Sequence, residues 1–166
     1  MSHLTITLRA ATAAALMGSS VCLGTATAAA DPTDTLAGLL SKGYSSSNCT
    51  SQSPPSGVAA VLQCGQNSDP SGPVFAKYLL FNNASDLASS FTNSIGSDTL
   101  TNCGDAKSPT VWHQGSSTDS AGQVACGTYQ GQAEVIWTTD AKTVMSLIRG
   151  SSGDTAALYQ WWRANG

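Results

Sequence analysis

Four cysteines, Cys49, Cys64, Cys103 and Cys126, constrain this chain more than any other feature of its sequence. Cys64 and Cys126 are each followed by glycine inside an apolar run, in "VLQCGQNSDPSGPVFAKYLLF" and "VACGTYQGQAEVIWTTD". Both stretches read as strand, Cys-Gly, turn, strand. Zinc sites use close pairs such as C-x2-C, and no two of these cysteines stand closer than 15 residues. The same spacing excludes a thioredoxin-like C-x-x-C pair. An even number in an exported chain reads as disulfides, with three pairings open. Cys49–Cys64 and Cys103–Cys126 are favoured, because each pair falls within one candidate hairpin-like unit. Closing those loops would stabilise the fold by roughly 3 kcal/mol each in the chain-entropy model. The glycine after each cysteine then lets backbone pass close to a neighbouring strand, or form a bulge, where a Cβ would block it. The Cys-Gly repeat is expected to be scaffold rather than chemistry.

That argument needs an oxidising compartment, and the beginning of the chain points to one. Arg9 precedes the apolar "AATAAALMGSSVCLG", and Ala28-Ala29-Ala30 stands just before Asp31-Pro32. A basic residue, an apolar stretch and an A-x-A site describe a secretory signal peptide. A membrane-spanning helix needs about 20 predominantly apolar residues, and Thr, Gly and Ser interrupt this one. Lipid attachment at Cys22 would want a small residue before it, where Val21 stands. Cleavage near Ala30 is expected, with residues 1–30 as signal peptide and 31–166 as a single secreted domain. Those 136 residues can bury about two-thirds of their unfolded surface in one core. The protein is expected outside the cell or in the cell envelope, with no membrane span after cleavage.

Six of the seven basic residues and all ten acidic ones lie after residue 30, a net charge of −4. With no Lys/Arg cluster, the chain lacks the footprint needed to hold phosphates, so nucleic acid is not an expected partner. Charged residues make up only 10% of the chain, and Ser, Thr, Asn, Gln and Gly must cover the surface instead.

Periodicity supplies the elements. "DPTDTLAGLLSKGY" predicts a short helix capped by Thr33 or Asp34, with Leu36, Leu39 and Leu40 on one face. "VAAVLQC" and "VFAKYLLF" predict strands, the second apolar on both faces apart from Lys77 and therefore central. In "NNASDLASSFTNSI", Leu87, Phe91 and Ile95 recur on one helical face behind Asn83 or Ser85 as cap. A short strand around Val111–His113 is followed by "QVACGTY", "AEVIWTT" and "TVMSLIRG" as three more. Gln130-Gly131 joins the first two of these. "GDTAALYQWWRA" closes as a helix, with Leu158, Trp161 and Trp162 near one face. The two halves parallel each other, either by internal duplication of a strand-strand-helix unit or by coincidence of two stapled hairpins. The fold class is α+β: an antiparallel sheet of about five to seven strands with helices packed on one face.

Little catalytic chemistry is available. His113 is the one histidine of residues 31–166, and Asp119 is its only plausible acid/base companion. No nucleophile elbow, phosphate-binding loop or metal-binding run accompanies it. Glu134, the single glutamate, alternates outward on its strand and is read as solvated. No catalytic residue, metal ligand or cofactor is assigned. What remains is aromatic. Trp137 and Trp161 are assigned to the core. Trp112, between Pro109 and His113, is the most exposed tryptophan on this reading. An aromatic groove of Trp112, His113 and Tyr129 is the candidate ligand site.

The motifs "LLSKGY", "NCT", "CGQNSDPSGP" and "YLLF", then "CGTYQG", "WTTD" and "LYQWW", span about Leu36 to Trp162. In these the chain resembles small exported proteins of the actinobacterial, mycobacterial type. These in turn are similar to the extracytoplasmic C-terminal module of some membrane serine/threonine protein kinases. The resemblance implies a disulfide-bonded sensor-like or ligand-binding module and not a kinase, for the chain has no room for a kinase domain and lacks the kinase lysine and Asp-Phe-Gly motif; no enzymatic activity is expected. A signal peptide stands where those relatives carry a kinase and a membrane span, which leaves soluble binding of a small molecule or an envelope protein. Two other readings are an envelope hydrolase using His113 and Asp119, and an envelope structural or interaction protein. Titratable groups converging on His113 would favour the first of these, and a closed surface the second.

Overall fold

Strands that are apolar on both faces must be covered on both faces, and this decides the architecture. The computed structural model describes residues 30–166; Cys22 and residues 1–29 of the expected signal peptide lie outside the described residues. Eight strands form one antiparallel sheet: β1 (Cys49–Gln52), β2 (Val58–Cys64), β3 (Phe75–Phe81), β4 (Thr99–Thr101), β5 (Thr110–His113), β6 (Ser120–Tyr129), β7 (Gln132–Thr139) and β8 (Val144–Arg149). Their order is β1-β2-β3-β8-β7-β6-β4, and β5 pairs β6 on from β4. The helices are α1 (Pro32–Ala37), α2 (Ala84–Ile95) and α3 (Thr155–Asn165). No helix among the described residues is long and apolar enough to cross a membrane.

The α+β class and the antiparallel sheet stand as expected, with two details corrected. The sheet has eight strands rather than five to seven. β1 and β4 are short edge strands whose side chains, Cys49 apart, are exposed, so they carry no apolar period to read. The helices also lie on both faces rather than one. Alternate residues of β7 show why: Ala133, Val135 and Trp137 pack with Leu36 of α1 and with Leu158 and Trp162 of α3. Ile136 packs instead with Leu87 and Phe91 of α2. β3 and β8 divide in the same way, Tyr78 and Ile148 on the first face and Leu79 and Met145 on the second.

Local signals hold α2 and α3 in place. The Asn83 side chain accepts from the Asp86 main-chain N–H, and Asp154 accepts from that of Ala157, each capping its helix. At α1 the cap is Asp31, with Pro32 in the first helical position, rather than Thr33 or Asp34. The β6–β7 hairpin turns through Gln130 and Gly131, both with positive φ, as a two-residue turn of matching twist requires.

Both disulfides pair as expected, Cys49–Cys64 across β1 and β2, and Cys103–Cys126 onto β6. The two Cys-Gly steps differ, however. A Cβ on Gly127 would stand 2.8 Å from the Thr99 carbonyl oxygen of β4, so close backbone approach requires glycine there. Nothing lies within 4 Å of the corresponding point on Gly65. The halves also differ in order: α2 follows β3 directly, whereas β8 intervenes between β7 and α3.

Candidate functional site

An aromatic string runs through the first-face core. Tyr44 meets Tyr78 edge-on at 6.1 Å, Tyr78 meets Trp137 at 6.3 Å, and Trp137 meets Trp162 at 5.7 Å. At its outer end Trp162 is flanked by Trp112 edge-on at 5.6 Å and by Tyr159 stacked at 5.5 Å. Between β5 and α3 this end opens into a cleft of about 410 Å³, lined by Trp112, His113, Gln114, Tyr159, Trp162 and Arg163 among others.

Helical spacing brings the cleft together. Tyr159, Trp162 and Arg163 stand at i, i+3 and i+4 on α3, so they share one side of the helix. β5 delivers Trp112 and His113 from the opposite wall. Trp112 is half-buried rather than exposed, because its indole N–H donates to the Thr138 carbonyl at 2.7 Å. The remainder of its ring faces the cleft. Trp162 is 6% exposed, and its Nε1–H is buried with no acceptor. Such orphaned donors are rare in folded proteins. Gly166 lies against that edge of the indole, its own N–H donating to the Trp162 carbonyl at 2.7 Å.

His113 is exposed, and its Nδ1 lies 3.0 Å from the main-chain carbonyl of Asp119. A carbonyl only accepts, so Nδ1 carries the proton and Nε2 is left facing outward. The Asp119 carboxylate is not the partner. Among the described residues no hydroxyl hydrogen-bonds the imidazole. The geometry a nucleophile–base–acid arrangement needs is not assembled around His113.

Tyr129 does not join Trp112 and His113. It sits on the second face, where its ring lies 4.7 Å from the Arg149 guanidinium carbon; Phe75 lies 5.3 Å away on that same carbon. Arg149 donates from Nε to Oε2 of Glu134 at 2.7 Å, and a second nitrogen donates to the same oxygen. Glu134 is therefore 3% exposed and ion-paired, not solvated. It stands directly opposite Arg149 across β7 and β8, both central strands, and a central strand has no outward side. Burial raises the Glu134 carboxyl above its usual range, and the Arg149 contact works against that rise. Asp98 completes this group. Burial first, and the Glu134 charge second, push its carboxyl up to about 6, and its Oδ1 is buried without a partner. Neither carboxyl lines the α3 cleft or the apolar groove along α2.

That groove is larger, about 600 Å³, and is walled by Leu87, Ala88, Phe91 and Ile95. Thr138, on its polar rim, is already engaged. The Thr138 hydroxyl donates to Asp140 at 2.6 Å and accepts from the Gln123 N–H at 3.0 Å. The α3 cleft, by contrast, combines aromatic walls with unspent donors, and a specific site needs both. No motif could have marked Trp162 over its neighbour Trp161, whose N–H is satisfied by Asp69 at 3.1 Å. Only the packing separates the two. No protein family, curated protein or solved structure was found to match the chain.

Proposed function

We propose that this chain is an exported, non-enzymatic binding module of sensor-like type, holding a small ligand in the α3 cleft. The observation that carries this reading is the cleft itself. About 410 Å³ falls within the ordinary range of ligand sites, roughly 300–1,000 Å³. Its walls are aromatic, and the Trp162 N–H beside it lacks an acceptor. Export is supported by the signal-peptide pattern of residues 1–30 and by two disulfides, which persist in oxidising compartments. The non-enzymatic reading rests on His113, whose Nδ1 is engaged by the Asp119 main-chain carbonyl and not by the Asp119 carboxylate. The carboxyls of Asp98 and Glu134 serve Arg149 on the other face of the sheet.

The test is nitrogen-edited NMR of the exported, oxidised protein during a screen of small ring compounds. The four tryptophans each give one indole N–H signal. Compounds that bind in the cleft move the Trp112 and Trp162 signals and leave Trp161, anchored on Asp69, nearly still. A screen whose hits all map to α2, or which moves no indole signal, would refute the cleft as the site.

A further inference from the structure

We infer that the groove along α2 is a second binding site, for a linear apolar cation, with the ammonium held at Asp140 and the chain laid along Leu87, Phe91 and Ile95. This site is separate from the α3 cleft and lies on the other face of the sheet. Its cavity of about 600 Å³ is within the ordinary range of ligand sites, roughly 300–1,000 Å³. Its shape follows from the helix. Leu87, Phe91 and Ile95 stand at i, i+4 and i+8, so they make one apolar row about 12 Å long. Ala84 and Ala88 run beside that row, and their short side chains leave the trough open toward Pro109. An apolar row of that length suits an extended chain.

Charge sets the other half of the ligand. Asp140 is the one charged residue that lines the groove. It sits at the end where α2 begins, because the Phe81 N–H, three residues before the helix, donates to the Thr143 carbonyl just past Asp140. Thr138, only 3% exposed, donates its hydroxyl to Asp140 Oδ1 at 2.6 Å and so fixes the carboxylate at the rim. Oδ2 has no hydrogen-bond partner among the described residues, and neither has the half-buried side-chain amide of Gln123. Asp140 forms no ion pair among those residues either. Lys107 and Lys142, the cations nearest in sequence, are exposed and do not line the groove. The Asp98, Glu134 and Arg149 group lies past Ile95, at the opposite end, and does not line it. An ammonium, with three donors and no acceptor, complements this rim, whereas an anion would be repelled by Asp140.

The experiment titrates the exported, oxidised protein with n-octylammonium, n-octanol, n-octanoate and n-butylammonium. Nitrogen-edited NMR reads the main-chain N–H signals of Ala88, Thr92 and Gln123. Octylammonium is expected to bind about three- to fivefold more tightly than octanol, the worth of one exposed charge pair, and octanoate more weakly than either. Butylammonium, four methylenes shorter, is expected to bind at least about tenfold more weakly than octylammonium. Asp140→Asn, which can still accept from Thr138, is expected to abolish the preference for the cation and leave octanol unchanged. Asp140→Glu is expected to restore part of it. Ala88→Leu, at an exposed helical position, fills the trough and is expected to weaken all three octyl probes. Octanoate or octanol binding as tightly as octylammonium, or a cation preference unchanged in Asp140→Asn, would overturn the inference. So would probes that move no groove signal, or that move the Trp112 and Trp162 indoles instead; the latter would leave the α3 cleft reading standing. A protein found dimeric by sedimentation, with groove signals that shift on dilution, would give the groove to a second copy and overturn it as well.

Discussion

Asp98, Glu134 and Arg149 place two carboxylates around one cation, and the two acids are not equivalent. Glu134 has both its hydrogen bonds from Arg149, whereas the buried oxygen of Asp98 has none. A carboxyl in that position resists ionisation, which is why burial and the Glu134 charge lift it from 3.8 to about 6. The sign for stability follows. The folded chain holds the Asp98 proton more firmly than the unfolded chain does, so this residue's contribution falls as pH rises from about 4 to about 6. Asp98→Asn, which mimics the protonated side chain, is expected to match the parent near pH 4. At pH 7 it should be more stable by about 1 kcal/mol, a figure discounted for the solvent screening of a half-exposed group. Urea midpoints of the two proteins across that range decide the matter, and parallel curves would rule the mechanism out. None of this was legible in the sequence. Glu134 alternates with apolar neighbours as a surface residue of an edge strand would, and only the placement of β7 between β6 and β8 buries it. The Cys-Gly steps were legible as punctuation but not as a pair with different reasons.

At the level of elements, that difference makes a prediction. β4 runs along the outer edge of β6 with Leu100 opposite Gly127, and the Thr99 carbonyl occupies the space a Cβ would take. Gly127→Ala must push β4 off the edge or distort β6, at a cost of roughly 2 kcal/mol. Gly65, at the end of β2, faces open space, so Gly65→Ala should be neutral within about 0.5 kcal/mol. Thermal unfolding of both variants is the check, and equal losses would return the two glycines to a common role. The long elements were read from periodicity with little error, because β2, β3, β6, β7, β8, α2 and α3 carry apolar residues to the core at regular intervals. β1 and β4 were invisible for the opposite reason: their exposed side chains follow no pattern, and backbone pairing alone makes them strands. The second cover helix was implicit in the doubly apolar "VFAKYLLF", since a strand with no polar face leaves none of the sheet free for water.

For the whole molecule, the two disulfides set the conditions in which this fold persists. They bridge separations of 15 and 23 residues, worth roughly 3 and 3.4 kcal/mol in the chain-entropy model. A domain of this size has a net stability of about 5–15 kcal/mol, so losing both removes a large share of it. The bridges also pin the outer thirds of the sheet. Cys49 is the only buried residue of β1, and Cys103 is buried against Cys126, whose N–H donates to the Ser108 hydroxyl at 2.8 Å. Cys49→Ser with Cys64→Ser should therefore fray the β1 edge, detected as faster amide exchange in β1 and β2 with the rest protected. Cys103→Ser with Cys126→Ser strikes β6, which carries β4, β5 and β7, and should lower the global urea midpoint further than the entropic difference of about 0.4 kcal/mol predicts. A thiol-reduced parent should unfold at markedly lower urea than the oxidised protein. If reduction leaves the midpoint unchanged, the cysteines are not structural staples, and the case for an oxidising compartment loses its physical basis. The binding proposal would then need another frame, because α3 and β5 meet at the cleft only while β6 holds β5 beside the Trp162 ring.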